Sequence, residues 1–218
     1  KLPYDPGKTL VNIDILGVTP YALVVHPDGP YKSIKDLVSA AKTRPGDLSY
    51  ASAGVGSSTH LAAEFFNQFA GIKLLNIPYK GSPDALTDIM AGRSAFYMAP
   101  LDAAIGQIKS SKLKALGVTT SNRMNQIPNI PTLSEGGLSD FNESFWYGIA
   151  AIPGVPKNIL DAYNEAIFDM SKSDSLQASL GKMGCDAMPL NANDFTDKVR
   201  NDINKYSAIA KAVKMKVD

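Results

Sequence analysis

Hydrophobic and polar positions along the chain switch repeatedly between two periods. Short apolar runs read as strands: YALVVH (21–26), LSYASA (48–53), KLLNIPY (73–79), SAFYMA (94–99), LKALGVTT (113–120) and SFWYGIAAI (144–152). Between them the spacing becomes helical. Ile34, Leu37, Val38 and Ala41 fall at i, i+3, i+4 and i+7, and Leu61, Ala62, Phe65, Phe66 and Phe69 form a second stripe. Ser33 and Asp36 fit a capping box at the first of these helices. In GSPDALTDIMAG (81–92), Ser82 is placed to cap, Pro83 suits the first helical position and Gly92 can end the helix. LDAAIGQIKSS (101–111) is a further helix. Beyond the last strand the pattern is helical. Pro156 opens a helix with Ile159, Leu160, Tyr163, Ile167 and Met170. A shorter one holds Leu176 and Leu180. The last runs from about Asn193 with Phe195, Val199, Ile203, Tyr206 and Ile209 on one face.

Strand–helix repetition with short loops predicts an α/β fold with parallel sheets. The repetition stops at an irregular polar stretch, 121–143, so the chain reads as two lobes with a crossover near SFWYGIAAI. The domain expectation is 1–25 with 144–218 in one lobe and 26–143 in the other.

Composition narrows the function. Among 218 residues, 44% are hydrophobic and 20% charged, and the formal net charge is +1. That balance gives no electrostatic case for nucleic acid or an anionic membrane surface. No apolar run is long enough to span a bilayer. Cys185 is the only cysteine, so no internal disulfide can form, and a small half-buried residue is the plain reading of it. KLPYDPGKTL (1–10) has no signal-peptide pattern.

The candidate chemistry lies in YASAGVGSSTHLAAEFF (50–66), where a strand runs into a turn and then a helix. Such loops sit at the carboxyl edge of a parallel sheet, where ligands bind. Gly54 and Gly56 allow positive φ or close backbone approach. Ser57, Ser58 and Thr59 set hydroxyls beside the unpaired N–H groups of a helix start, an anion site by dipole and hydrogen bonding. The same residues also serve as ordinary caps. A P-loop is excluded because GVGSST has no lysine before its hydroxyl residue. A dinucleotide fingerprint lacks its third glycine, Thr59 standing there, and a nucleophile elbow, G-x-S-x-G, occurs nowhere. His60 reads as a first-turn residue or loop support. With His26 the only other histidine, the metal case is weak. A second loop, IPYKGSPDAL, offers Tyr79, Lys80 and Gly81, Lys80 being either a carboxylate partner or a solvated surface cation. At the third strand end, YMAPLDAA, Ala99 and Pro100 stand where a ligand would lie, and Asp102 reads as a helix N-terminal acid. Two donor-rich, uncharged helix starts on one edge, with no triad, carboxylate pair or metal cluster beside them, point to a bound small anion and to no catalysis.

The segments KLPYDP (1–6), YASAGVGSSTHLAAEFF (50–66), IPYKGSPDALTDIMAG (77–92), KLKALGVTTSNR (112–123), IPNIPTLSEGGL (127–138) and FWYGIAAIPGVPK (145–157) together resemble the Bug family of periplasmic solute-binding proteins, the TctC-like receptors of tripartite tricarboxylate transporters. The resemblance implies a two-lobed, type II-like periplasmic-binding-protein fold with parallel-type sheets and crossover strands. It also implies an inter-lobe cleft whose backbone amides, hydroxyls and water grip a carboxylate. It further implies a periplasmic monomer without cofactor, whose partners are a small organic carboxylate (di-, tri- or aromatic) and a membrane permease, with no nucleic acid. By motif, the ligand residues would be Ser52, Ala53, Gly54, Gly56, Ser57, Ser58 and Thr59, with Tyr79, Lys80, Gly81, Ala99 and Pro100 nearby. Members normally begin earlier, with a strand and loop of the first lobe, so this sequence is expected to lack that segment. They often carry an aspartate where Ala99 stands, which disfavours amino-acid ligands here. The competing expectation is the effector-binding domain of a LysR-type regulator, which shares the bilobal plan.

Overall fold

The structure is a computed structural model that describes residues 4–215. In chain order the elements are α1 (Pro6–Thr9), β1 (Val11–Val25), α2 (Ile34–Thr43), β2 (Ser49–Ser52), α3 (Ser58–Ala70), β3 (Leu75–Pro78), α4 (Ser82–Met90), β4 (Phe96–Pro100), α5 (Leu101–Lys109), β5 (Lys114–Val118), β6 (Ser144–Ala151), α6 (Lys157–Ser171), α7 (Asp174–Met183) and α8 (Ala192–Ala212). The chain divides into two compact units. One contains the described residues up to Thr19 and Trp146–Ala208; the other contains Pro20–Phe145 and the described residues from Ile209 onward.

The second unit is built on strands in the order β3-β2-β4-β1-β5. β2 pairs in parallel with both β3 and β4. β1 runs the other way, antiparallel to β4 through Tyr21↔Pro100 to Val24↔Tyr97 and antiparallel to β5. The sheet is therefore mixed, where the strand–helix alternation predicts a parallel one. His26, Ser49 and Ala95 line one cavity, so β1 ends at the edge where β2 and β4 begin. Helix α2 returns the chain to that same edge, and alternation alone does not reveal such a return. β1 is also longer than the 21–26 expected, because its first half lies in the other unit.

Strand alternation divides the core into two faces. On one, Tyr21, Leu23, Val25, Tyr50, Phe96, Met98 and Leu116 pack against Leu37 of α2 and Phe66 of α3. On the other, Ala22, Val24, Ala51, Tyr97, Ala99 and Val118 pack against Ala85, Leu86 and Ile89 of α4 and Ala104 of α5. Burying each large apolar side chain contributes about 1.5–3 kcal/mol. Helix α2 starts on the expected capping box: Ser33 accepts from Asp36 N–H, and Asp36 accepts from Ser33 N–H. At the outer edge, β3 leaves Leu75 and Ile77 exposed, at 52% and 38% of their surface.

In the first unit, β6 pairs with β1. Asp14 of β1 is fully buried and accepts from the N–H of Ile15 and of Leu190, both at 2.6 Å. Asn164 of α6 donates to Ile13 O and to Asp14 Oδ2. Burial pushes the Asp14 carboxyl above its usual range, against the lowering pull of the two backbone donors. This network corrects the expected face of α6. Ile167 and Ser171 are buried with Asn164 beside them, while Ile159, Tyr163 and Met170 stay exposed. Trp146 Nε1 donates to Asp202 at 2.7 Å and stacks edge-on against Phe195. Gly148 is required there, since a Cβ would lie 2.5 Å from Phe195.

Candidate ligand site

All the residues singled out in the glycine–serine turn lie in the second unit, where β2 ends and α3 begins. Gly54 and Gly56 have φ of +125° and +75°, so the turn uses conformations that other residues rarely take. A Cβ on Gly54 would also lie 3.3 Å from Tyr79 O, so the first loop rests on the second. Part of the turn's hydrogen bonding is internal. Ala53 N–H donates to Thr59 Oγ1 at 2.9 Å, Gly56 N–H to His60 Nδ1 at 3.1 Å, and Ser57 N–H to Gly54 O at 3.2 Å. Ser57 is the N-cap and accepts from His60 N–H. Among the described residues no acceptor meets the N–H of Val55, Ser58 or Thr59. Those three donors stand at the positive end of the dipole of a 13-residue helix.

His60 thus takes both roles the sequence allowed: it stands in the first turn and supports the loop. It is 6% exposed, and burial holds its imidazole below the ordinary value of 6.5 despite the raising influence of Glu64. The neutral ring leaves Nδ1 as an acceptor for Gly56.

The second loop is tied to the first. Tyr79 N–H donates to Ser52 O at 2.9 Å. The Tyr79 hydroxyl donates to Asp88 of α4, which consumes its one proton inside the protein. Lys80 is exposed and Gly81 is half-buried. Gly81, not Ser82, is the N-cap of α4, and the helix has no side-chain cap. Ser82 instead bonds the buried hydroxyl of Tyr97 at 2.8 Å. Two pairs of alcohols therefore mark the helix starts, Ser57–Thr59 at 3.0 Å on α3 and Ser82–Tyr97 on α4. Burial pushes the Tyr97 phenol above its usual range, so the Ser82–Tyr97 pair carries no charge.

The structure brings Ala53–Thr59 and Tyr79–Gly81 together at one sheet edge. Ser52, Ala99 and Pro100 are buried beneath that edge. Asp102 lies in the first turn of α5, and its Oδ1 accepts from Ala103 N–H. Sequence reasoning missed Tyr97 and Asp88. The signal for Tyr97 was a lone hydroxyl within an otherwise apolar strand.

A model of the TctC family, described as the tripartite tricarboxylate transporter family receptor, matches residues 1–215. The chain belongs to the TctC family. Relatives include the UPF0065 protein in the tcbD-tcbE intergenic region of Pseudomonas sp. strain P51. It is 33% identical over 185 residues, which make up 84% of this TctC-family chain and 55% of that protein. Protein BugT of Bordetella pertussis is 27% identical over 96% of this chain and 64% of its own. The TctC-family chain thus spans between half and two thirds of these relatives' length. Among solved structures, R. palustris Rpa4515 with adipate superposes with a TM-score of 0.91 at 27% identity, over 99% of this chain and 72% of that one. Periplasmic binding protein BugD gives a TM-score of 0.86 at 26% identity, over 98% and 72%. The fold is that of the periplasmic binding proteins.

Proposed function

We propose that this chain is the receptor part of a tripartite tricarboxylate-type transporter. It captures a small organic carboxylate outside the cytoplasm, in the periplasm, and passes it to a membrane permease. The carboxylate sits at the mouth of α3, held by the N–H groups of Val55, Ser58 and Thr59 with Gly54, Gly56 and the Ser57 hydroxyl around them. Tyr79, Lys80 and Gly81 form the adjoining wall, and Ser52, Ala53, Ala99 and Pro100 back it. The two units are the receptor's two lobes.

The observation that carries this reading is three neighbouring amide donors without an acceptor among the described residues, at a helix start built on two positive-φ glycines. The adipate bound to Rpa4515, a 27% identical relative in fold and sequence, supports a dicarboxylate of similar length as the first ligand to try. Isothermal titration against adipate, shorter and longer dicarboxylates, benzoate and an amino acid is expected to give a one-to-one complex with a plain carboxylate. No heat with any carboxylate would end the proposal.

A further inference from the structure

We infer that the second unit carries another small-molecule site, at the sheet edge opposite the glycine–serine turn, suited to a small zwitterion of the α-amino-acid class. It is a cavity of about 330 Å³ among three turns. That is the lower end of the range of about 300–1,000 Å³ typical of ligand pockets. The first turn follows β1 and carries His26, the second leads into β2 and carries Asp47, and the third leads from α4 into β4 and carries Arg93 and Ser94. Ala95 N–H donates to Ser49 O at 2.8 Å, which holds the second and third turns side by side. A strand rises about 3.3 Å per residue, so Ser49 at the start of β2 lies about 13 Å from Ala53 beyond its end. The cavity and the glycine–serine turn share no residue.

Two buried hydroxyls stand there unpaired. Tyr31 and Ser94 are only 8% and 6% exposed, and both line the cavity. Among the described residues neither hydroxyl has a hydrogen-bond partner. Buried hydroxyls are normally bonded, because one withdrawn from water without a partner loses a hydrogen bond outright. The Tyr31 ring belongs to the core cluster with Ile34 and Leu37, a place that phenylalanine fills equally well, so its hydroxyl is what the core does not need. Ser49, half-buried in the same lining, has no described partner for its hydroxyl either. His26 is oriented by its own turn. Its Nδ1 accepts from Asp28 N–H at 3.2 Å, which puts the ring's N–H on Nε2, where no described acceptor meets it.

Charge narrows the ligand class. Arg93 and Asp47 line the same cavity, and among the described residues neither forms an ion pair, with the other or with any third group. A ligand with one carboxylate and one ammonium answers both: the carboxylate takes Arg93 and His26 Nε2–H, and the ammonium takes Asp47. The hydroxyls of Tyr31, Ser49 and Ser94 donate or accept as the ligand requires. A plain carboxylate would meet the like charge of Asp47 instead.

A proton–nitrogen NMR titration of the labelled protein with each of the common α-amino acids, at millimolar concentration, tests the site. One of them is expected to shift the amides of Asp28, Gly29, Arg93, Ser94 and Ala95 and to leave those of Val55, Ser58 and Thr59 in place. The deamino acid and the decarboxylated amine of that compound, with one charge each, are expected to bind about tenfold more weakly or worse. Arg93→Gln and Asp47→Asn alter exposed side chains and should melt where the parent melts. Each is expected to weaken binding of the amino acid about tenfold, the worth of one charge-assisted hydrogen bond. No shift at those amides with any amino acid overturns the site. Shifts confined to residues 53–59 also overturn it, because the ligand then occupies the glycine–serine turn. One-charge analogues that bind as well as the amino acid, or charge variants with parental affinity, overturn the zwitterion assignment. None of these results bears on the carboxylate reading, which stands or falls on the dicarboxylate titrations.

Discussion

His60 gives the candidate site a pH dependence whose sign follows from its burial. The imidazole is held below 6.5 in the folded protein, first by desolvation, while an unfolded chain titrates near 6.5. Below 6.5 the unfolded state therefore binds the extra proton more readily. Stability from this group is complete above 6.5 and is lost as the pH falls from there towards the folded value. One proton changes stability by at most about 1.4 kcal/mol per pH unit, so the loss between pH 6.5 and 5.5 has that ceiling. Protonation also removes the acceptor for Gly56 N–H, bonded at 3.1 Å, so the turn loosens in the same window. Urea denaturation at pH 7.5, 6.5 and 5.5, repeated on His60→Asn, isolates the effect. The asparagine oxygen can take the place of Nδ1 and does not titrate. The parent is expected to lose stability more steeply than the variant below pH 6.5, and carboxylate affinity should show the same divergence. Equal slopes in parent and variant would refute the assignment of a buried neutral imidazole to the loop.

Other substitutions probe the same geometry. Thr59→Val keeps the shape and leaves Ala53 N–H without its acceptor; a loss of about 1–3 kcal/mol is expected by chemical denaturation. Gly54→Ala meets both a φ of +125° and a contact at 3.3 Å from Tyr79 O, whereas Gly46→Ala meets a φ of +84° in open space. Both are expected to cost about 1–3 kcal/mol by urea titration, with Gly54→Ala the larger, and only Gly54→Ala should weaken carboxylate binding. In the first unit, Asp14→Ala orphans the N–H groups of Ile15 and Leu190. It is expected to cost about 2–4 kcal/mol and to speed proteolysis near Leu190 without changing ligand affinity per folded molecule.

Where the hydrophobic pattern was local, the fold was legible. The capping box at Ser33, the stripe from Leu61 to Phe66, and the strands from β2 to β5 all come from neighbours within one turn or one pleat. Strand direction did not. β1 looks like any buried strand, and only its pairing with β4 and β5 reveals that it runs antiparallel. The face of α6 was misread because a polar residue, Asn164, is drawn inward by partners 150 residues away in sequence. At the site, glycines and hydroxyls beside a helix start announced free amides. Which amides stay free depends on where His60, Thr59 and Tyr97 spend their own hydrogen bonds, and that is a tertiary property. Ser82 shows the difference: by sequence an obvious cap, it is claimed by a tyrosine 15 residues on.

The outer edge of β3 bears on how the protein behaves in concentrated solution. Leu75 and Tyr79 direct their N–H groups inward, to Leu48 O and Ser52 O. By the alternation of a strand, positions 76 and 78 face outward, and Pro78 has no N–H to offer. An incoming chain seeking to extend this sheet finds apolar side chains in Leu75 and Ile77 but a single amide rung, at Asn76. Proline here works as a stop against stacking between molecules, and Pro78→Ala should bring the onset of aggregation to lower protein concentration.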